Sequence, residues 1–225
     1  MDGATLLVDL ALIVAAYLCG SIPMGVVVAR LTGGVDPRTV GSGRTGGTNA
    51  LRALGRSRAA VVVVGDVLKG AVPVLVARWL NAGAAAEALA AAAAVTGAIW
   101  SVFVGFRSGR GVGTGVGTML VIQPLAVVAA LPVFALVILL TRYVSLGSLL
   151  GSAAIAIAML VLWAIANGPI SFAYPLYAMA GAALIWLAHA DNIDRLIHGT
   201  ERKFDLGMLA GRGGSAGGGA GSAEG

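Results

Sequence analysis

Apolar runs of membrane-spanning length recur along this chain and constrain its fold more than any other feature. They extend from Leu6 to Arg30, Ala59 to Leu80, Ala84 to Val104, Val116 to Ala129, Leu131 to Thr141, Ser145 to Ile165 and Ile170 to His189. The runs of about 20 residues read as transmembrane helices, and the two between Val116 and Thr141 are shorter spans. At 58% hydrophobic residues, 11% charged residues and a mean hydropathy of +0.93, the chain has too little polar surface for a soluble domain. The expected fold is an all-α polytopic membrane protein of about seven transmembrane helices. Gly20-Ser21-Ile22-Pro23 should kink the first span near its middle. Pro124 should break the span that starts at Val116, so residues 116–141 form either one long bent helix or two short ones. No basic residue precedes the first run, which therefore reads as a retained span rather than a cleaved signal. The expected membrane domain covers residues 1–206. Residues 207–225 form an expected disordered tail, since the glycine-rich stretch from Gly211 to Gly225 has too little apolar content to fold.

Two polar, glycine-rich connections interrupt the apolar pattern. The first, Gly41-Ser42-Gly43-Arg44-Thr45-Gly46-Gly47-Thr48-Asn49-Ala50-Leu51-Arg52, combines glycines with hydroxyls, an amide and two arginines. Glycines let backbone N–H groups approach an anion, hydroxyls and amides add neutral donors, and arginine adds a charged fork, an inventory that suits phosphate. Thr48 is expected to cap a short helix that Gly55 ends, placing Arg52 on the turn above the glycines. The second connection, from Gly105 to Gly115, sets Gly109, Arg110 and Gly111 in a similar mixture. Neither contains the Gly-x-x-x-x-Gly-Lys-Ser/Thr of a nucleotide-binding P-loop.

Other polar residues fall at the ends of spans or, unusually, inside one. His189 and Asn192 lie three apart at the end of the last span, on one expected helix face; the imidazole could move a proton and the amide could donate to an oxyanion. A charged amphipathic segment, Asp191 to Lys203, continues beyond them, and Asn167-Gly168-Pro169 is an expected turn. Asp66 and Lys69, inside an apolar span, are expected to neutralise one another. Ser145 and Ser148 open a span, either as caps or as ligand contacts. Cys19 is the only cysteine, and His189 and His198 are the only histidines, so neither a disulfide nor a cysteine- or histidine-built metal site is expected. With the N-terminus outside, every Lys and Arg except Lys69 and Arg78 falls on the cytoplasmic side, together with both glycine-rich loops and His189. The net charge of +5 is therefore read as membrane orientation rather than nucleic-acid binding.

Taken together, these motifs resemble the bacterial membrane glycerol-3-phosphate acyltransferases that use acyl phosphate, the PlsY family. The resemblance runs through Gly20-Ser21-Ile22-Pro23, Gly41-Ser42-Gly43 with Thr48-Asn49 and Arg52, Gly65-Asp66 with Lys69-Gly70, Gly105-Phe106 through Gly111, Ser145-Leu146 with Ser148, and His189 through Asn192-Ile193, Arg195-Leu196 and Gly199-Thr200-Glu201. It implies a seven-helix fold in the bacterial inner membrane with a site at the cytoplasmic face. It also implies acyl transfer from acyl phosphate to glycerol 3-phosphate, giving lysophosphatidic acid and phosphate, with membrane lipids around the protein and no cofactor or metal. Under that reading Ser42, Arg52, His189 and Asn192 are the expected catalytic residues. Gly41, Gly43, Thr48, Asn49, Gly109, Arg110, Gly111, Ser145 and Ser148 are the expected substrate contacts.

The chain departs from the family pattern at Arg44-Thr45-Gly46, where Asn-Pro-Gly is usual, and at Ala98, Ser108, Arg110 and Ala190. His189 and Asp194 also spell the His-x4-Asp motif of unrelated acyl-CoA-dependent enzymes, but positions five apart on a helix diverge by about 140°. A different class of reading is a non-catalytic or transport protein that binds a phosphorylated lipid or metabolite. A transport path should carry ionisable groups through the bilayer and often an internal repeat. Here the ionisable residues inside the spans are nearly confined to Asp9, Asp66, Lys69 and the end-placed Glu87, and no repeat is visible.

Overall fold

A computed structural model describes residues 3–166, 170–205 and 207. Its secondary structure is helical: α1 (Gly3–Ser21), α2 (Met24–Leu31), α3 (Gly47–Leu54), α4 (Arg56–Trp79), α5 (Gly83–Ile99), α6 (Val112–Ile122), α7 (Pro124–Thr141), α8 (Val144–Ile165), α9 (Ala173–Ala188) and α10 (Ala190–Ile197). Short 3₁₀ turns occupy Pro37–Thr39 and Val102–Val104. Among the described residues four helical segments are long and apolar enough to cross a membrane, and the bent pairs α1–α2 and α9–α10 bring the total to six. α6 is apolar but only 11 residues long, which accounts for the difference from the expected seven spans. The expected turn at 167–169 and the tail from 208 onward lie outside the described residues.

Proline decides several boundaries. The first span bends by 51° between Ser21 and Met24, at the Ile22-Pro23 step. Pro124 breaks the apolar run as expected, into two helices, and α6 ends at Ile122 before it. The proline begins α7 after Gln123, because a missing N–H costs nothing in the first turn, and α7 then runs unbroken through residues 129–131. Inside α4, Pro73 cannot donate to the carbonyl of Lys69, and the Cys19 thiol of α1 donates to that oxygen instead at 3.7 Å. Lys69 Nζ in turn donates to the Ile22 carbonyl at 3.0 Å and pairs with Asp66 Oδ1 at 2.8 Å. The intramembrane ion pair thus also holds the kink of the neighbouring span.

Two expected caps are absent, and the last span is bent. Thr48 is not the cap of α3; Gly46 is, with no side-chain hydrogen bond. Ser145 and Ser148 do not cap α8, whose N-cap is Tyr143, again without a side-chain bond. His189 and Asn192 do not share one continuous helix, since α9 ends at Ala188 and α10 leaves it at 63°.

The helices pack as α1 on α5, α4 on α6, α7 on α8, and α9 against both α5 and α8. Two of these crossings depend on paired glycines. A Cβ on Gly70 of α4 would overlap the Thr114 carbonyl of α6, and one on Gly117 would overlap the Val67 carbonyl of α4. Gly20 of α1 and Gly97 of α5 likewise meet each other's helix backbones, at Ala94 and Tyr17. In lipid, where helix association rests on close packing, small residues are what let the helices dock. Another cluster joins α4, α5, α6 and α9. There Arg78 pairs with Glu87 at 2.7 Å and donates to the Val121 carbonyl at 2.8 Å, while the Tyr174 hydroxyl donates to Glu87 at 3.1 Å. Gly117→Val should lower the stability of the folded protein by about 3 kcal/mol, the upper range for overpacking. Thermal unfolding in detergent measures it, and an unchanged Tm would show that the α4–α6 crossing can open without cost.

Candidate active site

A cavity of about 260 Å³ gathers both glycine-rich loops, the start of α8, the α9–α10 junction and residues 201 and 202. The first loop is shaped by Asn49, which is buried at 3% exposure in the opening turns of α3. Its Nδ2 donates to the carbonyls of Pro37 at 2.6 Å, Arg44 at 2.8 Å and Val40 at 3.0 Å, and its Oδ1 accepts from the Ser42 N–H at 3.1 Å. One amide side chain therefore holds the whole loop. Gly41 adopts φ +58°, and a Cβ there would collide with Asn49 Oδ1, so the turn admits only glycine.

The second loop folds back on the end of α5, with the N–H groups of Ser108 and Gly109 donating to Ile99 and Ala98 at 3.2 and 3.0 Å. It ends at Gly111, φ +76°, the N-cap of α6. The buried hydroxyls of Thr45 and Ser108 lie 2.9 Å apart and join the two loops directly.

Both loops lead into helices whose N-caps are glycines. No side chain satisfies the first N–H groups of α3 or α6, and the opening residues of both helices line the cavity. Unpaired donors at a helix N-terminus, with the positive end of the dipole behind them, form an anion site. Arg52, Arg44 and Arg110 add fixed charge. Among the described residues Arg52 has no acidic partner within ion-pair distance; burial, then the nearby Arg202, pushes its guanidinium below the ordinary value, against the opposing pull of Glu201. Arg110 reaches Asp191 at 3.3 Å, yet its Nε is buried without a partner. Burial lowers its affinity for a proton, Asp191 opposes this, and Arg44 adds to the lowering. An anion in the cavity relieves both guanidinium groups.

The opposite wall is organised by Glu201. Its Oε1 accepts from Ser145 at 2.8 Å and from Asn192 Nδ2 at 2.6 Å, and its Oε2 accepts from Arg195 Nε at 2.7 Å. Asn192 gives one N–H to Glu201, and its Oδ1 is buried and unpartnered. That oxygen is an acceptor for a hydroxyl, beside the second N–H of the amide, which keeps the expected donor capacity. Ser148 donates to Val144 of its own helix at 2.9 Å. His189 is 2% exposed, with Nδ1 2.8 Å from the Ile185 carbonyl. A carbonyl can only accept, so Nδ1 carries the proton and Nε2 of the neutral ring keeps its lone pair.

Of the residues singled out in the sequence, Ser42, Thr48, Asn49, Arg52, Gly109, Arg110, Gly111, Ser145, Ser148, His189 and Asn192 all line this cavity. Gly41 and Gly43 are not among the lining residues and form the turn beside it. Sequence reasoning missed Arg44, Thr45, Ser108, Arg202 and Phe134 as site residues and gave Asp66, Lys69, Arg195 and Glu201 no direct part in the site; all are near or in the cavity lining. The signal available for Asp66 and Lys69 was their cost inside a span. A second cavity, about 130 Å³ and apolar, meets the first at Val112, Phe134 and Ser148 and runs between α6, α7, α8 and α9.

This is an integral membrane protein in which two glycine-capped helix N-termini and several arginines line one cavity beside an apolar slot. Residues 10–199 match the family model described as glycerol-3-phosphate acyltransferase. The chain belongs to that family. It is 44% identical over 201 residues to the glycerol-3-phosphate acyltransferase of Anaeromyxobacter dehalogenans, covering 88% of this chain and 98% of that protein. The enzyme of the same name from Thermus thermophilus is 45% identical over 195 residues, covering 84% and 92%. Crystal structures of PlsY, an integral membrane glycerol 3-phosphate acyltransferase, in its glycerol 3-phosphate and lysophosphatidic acid forms superpose with TM-scores of 0.80 and 0.79 at 35% identity. Each superposition covers 90% of this chain and 98% of that one.

Glu201 gives the site an acid limit. Burial raises its carboxyl, but the hydrogen bonds from Asn192, Arg195 and Ser145 outweigh it and hold the group below its ordinary value of 4.5. A carboxyl depressed in the folded state contributes stability that is complete above the ordinary value and is lost as pH falls through the native one. The Tm advantage of the wild type over Glu201→Gln should therefore shrink on acidification through that window. A constant difference from neutral pH to about pH 3 would show that Glu201 is not held as a carboxylate.

Proposed function

We propose that this chain transfers a fatty acyl group from an acyl phosphate to the 1-hydroxyl of glycerol 3-phosphate, releasing lysophosphatidic acid and inorganic phosphate for phospholipid synthesis. The observation that carries the proposal is the single cavity that two uncapped, arginine-flanked helix N-termini share and that opens into an apolar slot. Two phosphates and one alkyl chain match those three features.

In this reaction the glycerol hydroxyl oxygen bonds to the acyl carbonyl carbon, the bond from that carbon to the phosphate oxygen breaks, and phosphate leaves with the electron pair. Acyl phosphate is already activated, so positioning two anions supplies most of the catalysis and no covalent intermediate is needed. One glycine-rich loop holds each phosphate, with Arg52 and Arg110 as the principal charges. Ser42 donates to a substrate oxygen, and Asn192 Oδ1 accepts from the glycerol hydroxyls. Asn49 and Glu201 keep the two walls in place. The hydroxyl proton goes to His189 Nε2 or to the departing phosphate, and substitution of His189 separates the two. Residues 1–206 form the catalytic domain in the bacterial inner membrane, with the cavity on the cytoplasmic side, as the distribution of Lys and Arg favours.

Purified protein given glycerol 3-phosphate should form lysophosphatidic acid and phosphate with acyl phosphate and not with acyl-CoA; transfer from acyl-CoA alone would overturn the proposal. Arg52→Ala should remove most of the activity without unfolding the protein, and Arg52→Lys should restore part of it, since an ammonium cannot reproduce a bidentate fork. A fully active Arg52→Ala would take Arg52 out of the site. If His189 accepts the proton, His189→Ala should slow turnover by about a hundredfold or more, with the exposed His198→Ala as a silent control. A folded and fully active His189→Ala would assign the proton to the substrate phosphate.

A further inference from the structure

The two glycine-rich loops rest on separate supports. The first is pinned by Asn49, and its Thr45 carbonyl packs against Gly25 of α2, where a Cβ would overlap it. The second hangs from the last carbonyls of α5 through the N–H groups of Ser108 and Gly109. Among the described residues one hydrogen bond runs between the loops, the 2.9 Å contact of the Thr45 and Ser108 hydroxyls. Charge opposes it, because Arg44, beside Thr45, and Arg110, just beyond Ser108, repel one another. Thr45 is 3% and Ser108 1% exposed, so water does not compete for the bond. Two hydroxyls carry two protons, and the bridge uses one of them. The other has no protein acceptor among the described residues. Thr45 lines the cavity, and Ser108 is not among the lining residues. The free proton therefore reaches a ligand only when Ser108 donates to Thr45 and Thr45 donates into the cavity.

We propose that Thr45 and Ser108 form a relay that couples ligand binding at the two loops. A phosphate oxygen that accepts from Thr45 Oγ1 turns that proton toward the cavity, leaves the Thr45 lone pairs to the Ser108 O–H, and so strengthens the bridge. The second loop, with Arg110, is then held in place for the other ligand. Ser108 acts only through Thr45 and is a positioning residue; no covalent bond is made or broken. By linkage each ligand tightens the other by the same factor. One hydrogen bond of ordinary strength sets that factor at about fivefold. The proposal rests on the two-substrate reading above.

The test is binding in nanodiscs of glycerol 3-phosphate and of a long-chain 2-oxoalkyl phosphonate, in which a CH₂ replaces the bridging oxygen of an acyl phosphate and blocks transfer. Each Kd is measured with the other ligand absent and saturating. In the wild type, and in Thr45→Ser, which keeps the hydroxyl, each ligand should tighten the other about fivefold. In Ser108→Ala, in Thr45→Val and in the double variant the factor should fall to about one, the double losing no more than either single. A merely structural role would weaken each ligand alone and leave the factor in place. A wild type without coupling, or a factor that survives in folded Ser108→Ala, overturns the proposal. The double variant removes both hydroxyls and orphans neither, so it decides the matter should a single variant fail to fold. If the phosphonate does not bind the wild type, the donor reading fails by itself, and hydrogen exchange with glycerol 3-phosphate alone decides the relay. That ligand must slow exchange in both loops of the wild type and in one loop of Ser108→Ala; slowing in both loops of the variant overturns the relay.

Discussion

The close crossing of α4 and α6 at Gly70 and Gly117 is the constraint on which the site depends. With backbone against backbone at this crossing, the N-terminus of α6 is drawn down beside Asp66, whose Cβ would lie 3.0 Å from a Cβ on Gly113. The same helix, α4, carries Lys69, which holds the kink between α1 and α2 through the Ile22 carbonyl. Residue Gly25, at the start of α2, packs against the Thr45 backbone of the first loop. A continuous set of contacts therefore runs from the glycine crossing to both glycine-rich loops. Closer approach of two helices in lipid is worth its loss of side-chain contact because packing, not hydrophobicity, drives their association.

The electrostatics of the cavity follow from that geometry. Among the described residues Arg44, Arg52, Lys69, Arg110, Arg195 and Arg202 line it, against two carboxylates, Asp66 and Glu201. Lys69 and Arg195 are spoken for by those carboxylates, so the charge left for a ligand lies on the two loop arginines and their neighbours. Buried cations without partners are costly, and an anionic ligand removes the cost. Asn49 and Glu201 serve the site by occupying their hydrogen-bonding capacity on protein groups, which fixes the walls and leaves the backbone donors free.

Two positions at which the chain departs from the family pattern explain one another. Thr45 and Ser108 stand where the resemblance leads one to expect proline and glycine, neither of which carries a hydroxyl. Here the two hydroxyls meet at 2.9 Å and bridge the loops. Arg110, at another departure, uses its fork to reach Asp191 while keeping Nε toward the interior, a geometry that a lysine ammonium does not offer.

By itself the sequence determined the class of fold, because apolar runs of this length allow little but helices in a bilayer, and it singled out residues that prove to line one cavity, because polar groups in such a chain are costly unless used. Arg52, Arg110, His189 and Asn192 were legible for that reason, and the kink at Pro23 was legible because proline acts locally. Only the tertiary structure decided which polar groups face a ligand and which face the protein. Asn49 and Asn192 look alike in sequence, yet one spends both ends of its amide on the first loop and the other keeps an oxygen free. The Thr45–Ser108 bridge was also settled by neighbours distant in sequence. Hydrogen-bond partners and close helix crossings are properties of the assembled helices, and no local pattern encodes them.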